Sequence, residues 1–155
     1  MSESLLYKTA LSKAMAQCSR RELCASDIRS KLESWGVGIN DSERVISELI
    51  KENFINEERY SRAFVRDKFH YNKWGKLKIT SHLRVKMIPG NILKDALDSI
   101  DNEIYIKTLN DLIISHKKII KSKNKYDLKA KLLRFGLSKG FESQLLYEIL
   151  NEIED

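Results

Sequence analysis

Three stretches of this chain repeat one core spacing across a helix-breaking turn, and that constrains the fold more than any other feature. Ile28, Leu32 and Gly36 step by four, and Val45, Ile46 and Leu49 lie 9, 10 and 13 positions beyond the glycine. Ile79, Leu83 and Met87 also step by four, with Ala96, Leu97 and Ile100 following at the same offsets. Leu128, Leu132 and Gly136 are followed in turn by Leu145, Leu146 and Ile149. An i, i+4 apolar pair by itself distinguishes nothing, because every amphipathic helix has one. Holding register across an intervening loop three times over is the mark of a tandem repeat.

The apolar period predicts nine helices in threes. The first covers Tyr7 to Ser19. The second starts at Ser26 as N-cap and stops at Trp35-Gly36, where glycine supplies the left-handed residue beyond the helix end. The third follows a cap at Asn40 or Asp41 and runs to Asn53. Helices over Asn56 to Asn72 and Lys76 to Lys86 come next, the latter stopped by Ile88-Pro89-Gly90. Asn91 caps a helix ending near Ile100. The last three run over Ile104–Lys121, Tyr126–Phe135 and Phe141–Ile153. With one proline and six glycines in 155 residues, composition favours helix over a punctuated β-fold. The predicted architecture is therefore all-α: three tandem three-helix repeats, at residues 1–55, 56–101 and 102–155, in an elongated, curved array.

Several classes of protein are disfavoured. No apolar run approaches the ~20 residues needed to span a bilayer. Met1 to Leu6 carries Glu3 and lacks the order of a secretory leader. Cys18 and Cys24 lie six apart without a CxxC partner and read as reduced thiols of a cytoplasmic protein. His70, His82 and His116 are scattered, with no HExxH motif, so no metal is expected. No GxxxxGK[ST] or GxGxxG stretch supports a nucleotide cofactor. Asp27, Asp41 and the Glu57-Glu58 pair sit at helix starts, where carboxylates complement the helix dipole. Nothing here composes an active site, and the chain is not expected to be an enzyme.

Charge is the informative property. The net charge is +6, but residues 59–94 hold ten Lys/Arg against Asp67 alone, and residues 117–139 hold nine against Asp127 alone. The flanking stretches are acidic. Two concentrated cationic blocks suit a polyanion partner. In the first, Arg59, Arg62 and Arg66 fall at i, i+3 and i+7 on one helix stripe, while Tyr60 and Phe64 lie on another face and enter the core. Lys68, Phe69, Tyr71, Lys73, Trp74, Lys76 and Lys78 follow. Aromatics among cations either stack on the bases of a single strand or pack helix against helix; for Trp74 both readings stand. The second block reads as a general electrostatic contact.

The stretch Arg20-Arg21-Glu22-Leu23, then Ser26-Asp27-Ile28-Arg29, Lys31-Leu32 and Trp35-Gly36, resembles the first-repeat signature of the RecX family. Asn53-Phe54-Ile55-Asn56-Glu57-Glu58-Arg59-Tyr60-Ser61-Arg62-Ala63-Phe64-Val65-Arg66 is similar to that family's next turn and helix. So is Trp74-Gly75-Lys76-Leu77-Lys78-Ile79 with Leu83 and Lys86. The resemblance covers about residues 8–100. It departs where the usual Lys-Gly appears as Lys86-Met87 with the glycine delayed to Gly90. The family resemblance implies three three-helix units, no catalysis, and a monomer lodged along the groove of RecA filaments on single-stranded DNA. There it would suppress ATP hydrolysis, strand exchange and co-protease activity in recombination, DNA repair and the SOS response. Affinity for DNA itself, single-stranded and duplex, fits the cationic blocks. The implied contact surface is Arg59, Arg62, Arg66, Lys68, Lys73, Trp74, Lys76, Lys78, Arg84 and Lys86. A stand-alone helical nucleic-acid-binding module acting without RecA is the competing reading.

Overall fold

The computed structural model describes residues 3–153. Met1, Ser2, Glu154 and Asp155, at the outer edges of the first and third predicted repeats, lie outside the described residues. Every regular element among those described is an α-helix. The first unit comprises α1 (Glu3–Arg20), α2 (Ala25–Ser34) and α3 (Ile39–Lys51). The second comprises α4 (Glu57–His70), α5 (Lys76–Val85) and α6 (Gly90–Asp98). The third comprises α7 (Asn102–Ile119), α8 (Lys125–Ser138) and α9 (Ser143–Asn151). None of these helices is long and apolar enough to cross a membrane.

The repeat is visible in how each middle helix ends. After α2, α5 and α8 the chain turns through a left-handed residue: Gly36 at φ 77°, Met87 at 61° and Gly140 at 94°. The next amide reaches back to close each turn: Val37 N–H to Leu32 O at 3.0 Å, Ile88 to Leu83 at 3.2 Å, Phe141 to Gly136 at 3.1 Å. Each of those three donors places its own side chain in the core. This is the paired-hydrogen-bond stop that satisfies the last carbonyls of a helix.

Two assignments made from spacing are corrected here. Met87 is not a core residue like Leu83; it is 73% exposed and occupies the left-handed position that Gly36 fills in the first unit. The turn glycine of the third unit is Gly140 rather than Gly136, because α8 runs on to Ser138 instead of stopping at Phe135. From N-cap to left-handed residue, Cys24 to Gly36 and Gly75 to Met87 have equal spans, whereas Asn124 to Gly140 is one turn longer. Four added residues keep the buried face of a 3.6-residue helix, so periodicity alone cannot reveal the slip. Counted from Gly140, the core positions at 9, 10 and 13 are Ile149, Leu150 and Ile153. Gly136 then takes the place of Leu32 and Leu83, and the side chain of Leu146 fills the space its missing Cβ leaves.

Helix starts also differ in detail. Asn56, where spacing starts a helix, stands just outside α4 as its cap, accepting from Arg59 N–H at 2.9 Å. The caps of α2, α3 and α6 are Cys24, Gly38 and Pro89, not Ser26, Asn40 or Asp41, and Asn91. At these three points the chain leaves a buried residue and enters the next helix at once, so the tertiary anchor sets the start; α2 adds a capping box, Asp27 accepting from Cys24 N–H at 3.3 Å.

The three units make two cores. Ala14, Ile28, Leu32, Val45, Leu49 and Ile55 belong to one confined to the first unit. The second and third units share the other, which Cys24 of the first unit also joins; it is threaded by Phe69, Tyr105 and Phe141, whose ring centroids lie 5.7 and 5.2 Å apart in succession. Total accessible surface is 9,880 Å². A compact protein of this mass would expose about 8,100 Å², so the array is elongated.

Candidate polyanion interface and the joints between units

Corresponding positions build both joints between units. Asn56 and Asp101 cap α4 and α7 by accepting from the third helical N–H, and Tyr60 and Tyr105 follow one residue later in each helix. At the first joint the opening amide of α2, Ala25 N–H, donates to Glu57 Oε1 at 2.7 Å. At the second the opening amide of α5, Lys76 N–H, donates to Tyr105 Oη at 2.9 Å. Tyr105 in turn donates to Glu142, and burial raises its phenol above the ordinary range. Gly75 N–H donates to Lys139 O at 2.7 Å and Leu77 N–H to Gly140 O at 3.0 Å. A Cβ on Gly75 would collide with the Gly140 backbone, which explains a glycine at an extended position where φ is −77°.

The charges at the two joints are opposite in design. At the first, Lys86 Nζ, at the end of α5, meets Asp27 Oδ1 in α2 at 2.5 Å. Burial would raise Asp27, but hydrogen bonds from Lys86 and from Cys24 N–H outweigh it and hold the carboxyl below its usual range. Arg59 Nε meets Glu22 Oε2 at 2.5 Å, and its guanidinium also donates to Asn53 O at 3.1 Å. Cys24 is buried here, its thiol pushed up to about 11 chiefly by desolvation. At the second joint the position of Asp27, third in its helix, is occupied by Lys78, and that of Lys86 by Lys139. Burial, and then the charge of Lys78, lower the pKa of Lys139. A salt bridge in one joint is a like-charge pair in the next.

The ten residues assigned to a contact surface thus fall into groups. Arg59 and Lys86 tie the first unit to the second. Arg62 and Arg66 are exposed on α4 and line a groove of about 330 Å³ with Phe69, Ser99 and Ile104. Lys76 and Arg84 line another, of about 500 Å³, between α5 and α6, and Lys76 Nζ stands 4.9 Å from the Tyr105 ring centroid. Lys73 is exposed in the left-handed turn after α4. Lys68 and Lys78 converge on Trp74, their ammonium groups 4.9 and 4.7 Å from its centroid. Trp74 also meets His82 at 4.5 Å and the edge of Phe64 at 6.4 Å. The indole is therefore half-buried and crowded, and it organises cations by their attraction to the ring face. Phe64 is half-buried against the shared core, and Tyr60 is buried. Sequence reading missed Lys139, which belongs to the second cationic block but folds against the first, its ammonium donating to Asn72 O at 2.7 Å. The signal was present: Lys139 precedes its left-handed residue as Lys86 precedes Met87.

Among the described residues, no three His, Cys, Asp or Glu side chains group to hold a metal ion. What the fold and surface define is a tandem helical-repeat protein with cationic blocks on its second and third units. A family model described as the second three-helix domain of RecX matches residues 56–97. The regulatory protein RecX of Clostridium perfringens is 33% identical over 129 residues, which cover 82% of this chain and 58% of that protein. The chain thus spans little more than half the length of that relative. The regulatory protein RecX of Prosthecochloris aestuarii is 29% identical over 154 residues, covering 99% of this chain and 98% of the relative. The crystal structure of RecX from Lactobacillus salivarius superposes with a TM-score of 0.81 at 22% identity, covering 94% of this chain and 95% of that one. The chain belongs to the RecX family.

Proposed function

We propose that this protein is a non-enzymatic, monomeric cytoplasmic regulator that binds RecA filaments on single-stranded DNA. It inhibits their ATPase, strand-exchange and co-protease activities. The observation that carries the reading is the division of cations on the middle unit. Arg59 and Lys86 are used internally, whereas Arg62, Arg66, Lys73 and Arg84 stand exposed. Bare electrostatic binding of a single strand weakens steeply with salt. A regulator built on such contacts needs a second source of affinity, and a protein already coating the DNA supplies it. The names of the relatives, regulatory proteins all, agree with this. The elongated array of units at 1–55, 56–101 and 102–155 suits a groove that winds along a filament.

The test is single-strand-dependent ATP hydrolysis by the cognate RecA with this protein titrated in at fixed DNA and moderate salt. Inhibition well below the concentration that coats the DNA supports action on the filament. Inhibition only at saturation of the bare strand supports a stand-alone DNA-binding module, and no inhibition removes RecA from the account.

A further inference from the structure

The second joint carries a cluster that the fold leaves without a counter-charge. Lys68 from α4, Lys78 from α5 and Lys139 from the end of α8 come together around Trp74 and Asn72. Among the described residues no carboxylate lies within ion-pair distance of any of the three. Lys139 is only half-exposed, and burial together with Lys78 disfavours its charged form. The first joint meets the same geometric problem with Asp27, an internal anion. At the second, that position carries Lys78, whose backbone packs tightly against Gly140 and cannot swing away. His82 Nδ1 lies 3.0 Å from Lys78 O, further fixing this turn.

We infer that the joint between the second and third units is a phosphate site, completed by a phosphodiester group of a single-stranded nucleic acid bridging Lys78 and Lys139 with Lys68 beside them. The ligand supplies there the negative charge that Asp27 supplies at the first joint. Three ammonium groups arriving from three different elements match an oxyanion with several acceptor oxygens better than a two-oxygen carboxylate. Lys139 spends one N–H on Asn72 O, leaving two for the ligand. Trp74 holds two of the cations in place rather than offering an open face to a base. The second and third units already share one core, and occupancy adds a charged tie to that joint where the first joint has the Lys86–Asp27 pair. This inference rests on the nucleic-acid half of the proposed function and requires nothing of RecA.

The two tryptophans are Trp35 and Trp74, so in a Trp35→Phe background Trp74 reports on its own site. Its fluorescence is followed while pyrophosphate, a short dT oligomer or polyglutamate of matched charge is titrated in, and thermal melts are recorded alongside. Pyrophosphate and the dT oligomer are expected to change Trp74 emission saturably and raise the melting temperature. Lys78→Asp installs the chemistry of the first joint. It is expected to melt higher than the parent without ligand and to bind the oligomer at least about tenfold more weakly. Lys8→Asp makes the same charge change on the exposed face of α1 and is expected to cost less than about threefold. Should Lys78→Asp fail to fold, Lys139→Met removes the like charge and is expected to show the same loss of binding. Equal losses in Lys8→Asp and Lys78→Asp, unchanged binding in Lys78→Asp or Lys139→Met, or equal response to polyglutamate would each overturn the site. If these variants lose oligomer binding while the parent leaves RecA unaffected, the site stands and the regulatory reading falls. If they bind normally while the parent inhibits RecA, the reverse holds.

Discussion

Lys86 and Asp27 lie 59 positions apart in sequence and meet at 2.5 Å across the first joint. Only 12% of the Asp27 side chain is exposed, against 39% for Lys86, so the carboxylate depends on its partners far more than the ammonium does. Replacing Lys86 by Ala is expected to destabilise the protein by about 1–3 kcal/mol at neutral pH, the cost of leaving a largely buried acceptor short of a donor. Because folding depresses the carboxyl of Asp27, its stabilisation is present in full above the ordinary value of 3.8 and is lost as pH falls through the lower folded value. Denaturant melts of parent and Lys86→Ala should therefore converge in acid. A constant difference down to pH ~2 would show that Asp27 is not the group involved.

Leu83 is fully buried and Val85, two residues on, is 78% exposed. Leu83→Ala is expected to cost ~2–5 kcal/mol, the transfer and cavity penalties together. Val85→Ala should fall within about 0.5 kcal/mol of the parent. Chemical denaturation of the two variants checks the register of α5, and similar values for both would place the buried face wrongly.

Met87 holds a left-handed conformation that costs a residue with a Cβ about 1–2 kcal/mol. Its exposed side chain contributes little packing in return. Met87→Gly is therefore expected to stabilise the protein, by up to about 1 kcal/mol after the greater freedom of glycine in the unfolded chain is set against it. A rise in the denaturation midpoint checks this; a fall would mean that Met87 makes a contact worth more than the backbone strain.

Arg62 and Arg66 are the exposed members of the α4 stripe, whereas Arg59 is committed to Glu22. Arg62→Glu with Arg66→Glu is expected to abolish inhibition of RecA ATPase with helicity unchanged by circular dichroism. Arg59→Glu should instead lower the melting temperature. Full inhibition by the double variant would move the interface off α4.

For the parent protein, about six phosphate contacts on a single strand give a slope near −4 for log affinity against log salt. Binding to RecA-coated DNA should fall more slowly, since part of its affinity is not ionic. Titrations at several salt concentrations on bare and coated DNA check this, and equal slopes would remove the protein–protein contribution.

Local chemistry made much of this legible. Apolar spacing located the nine helices found among the described residues, and the buried positions Ile28, Leu32, Ile79, Leu83 and Leu132 follow directly from it. The start of α4 at Asn56 follows for the same reason, because it is decided within one turn of chain. The extra turn of α8 was not, since inserting four residues leaves the apolar face unchanged while moving the turn from Gly136 to Gly140. Met87 was misjudged because apolarity signals burial, whereas its position is set by backbone geometry.

By itself the sequence determined the helical class, the three-fold repeat and the concentration of cations in two blocks, all of which depend on neighbours within a few turns. Which cations remain available was decided by the tertiary structure alone. Arg59 reaches Glu22 and Lys86 reaches Asp27 only because the units stack, while the same stacking sets Lys139 beside Lys78. A charge counted along the chain says nothing about its partner, because Coulomb energy depends on distance in space and on the surrounding dielectric, and folding sets both.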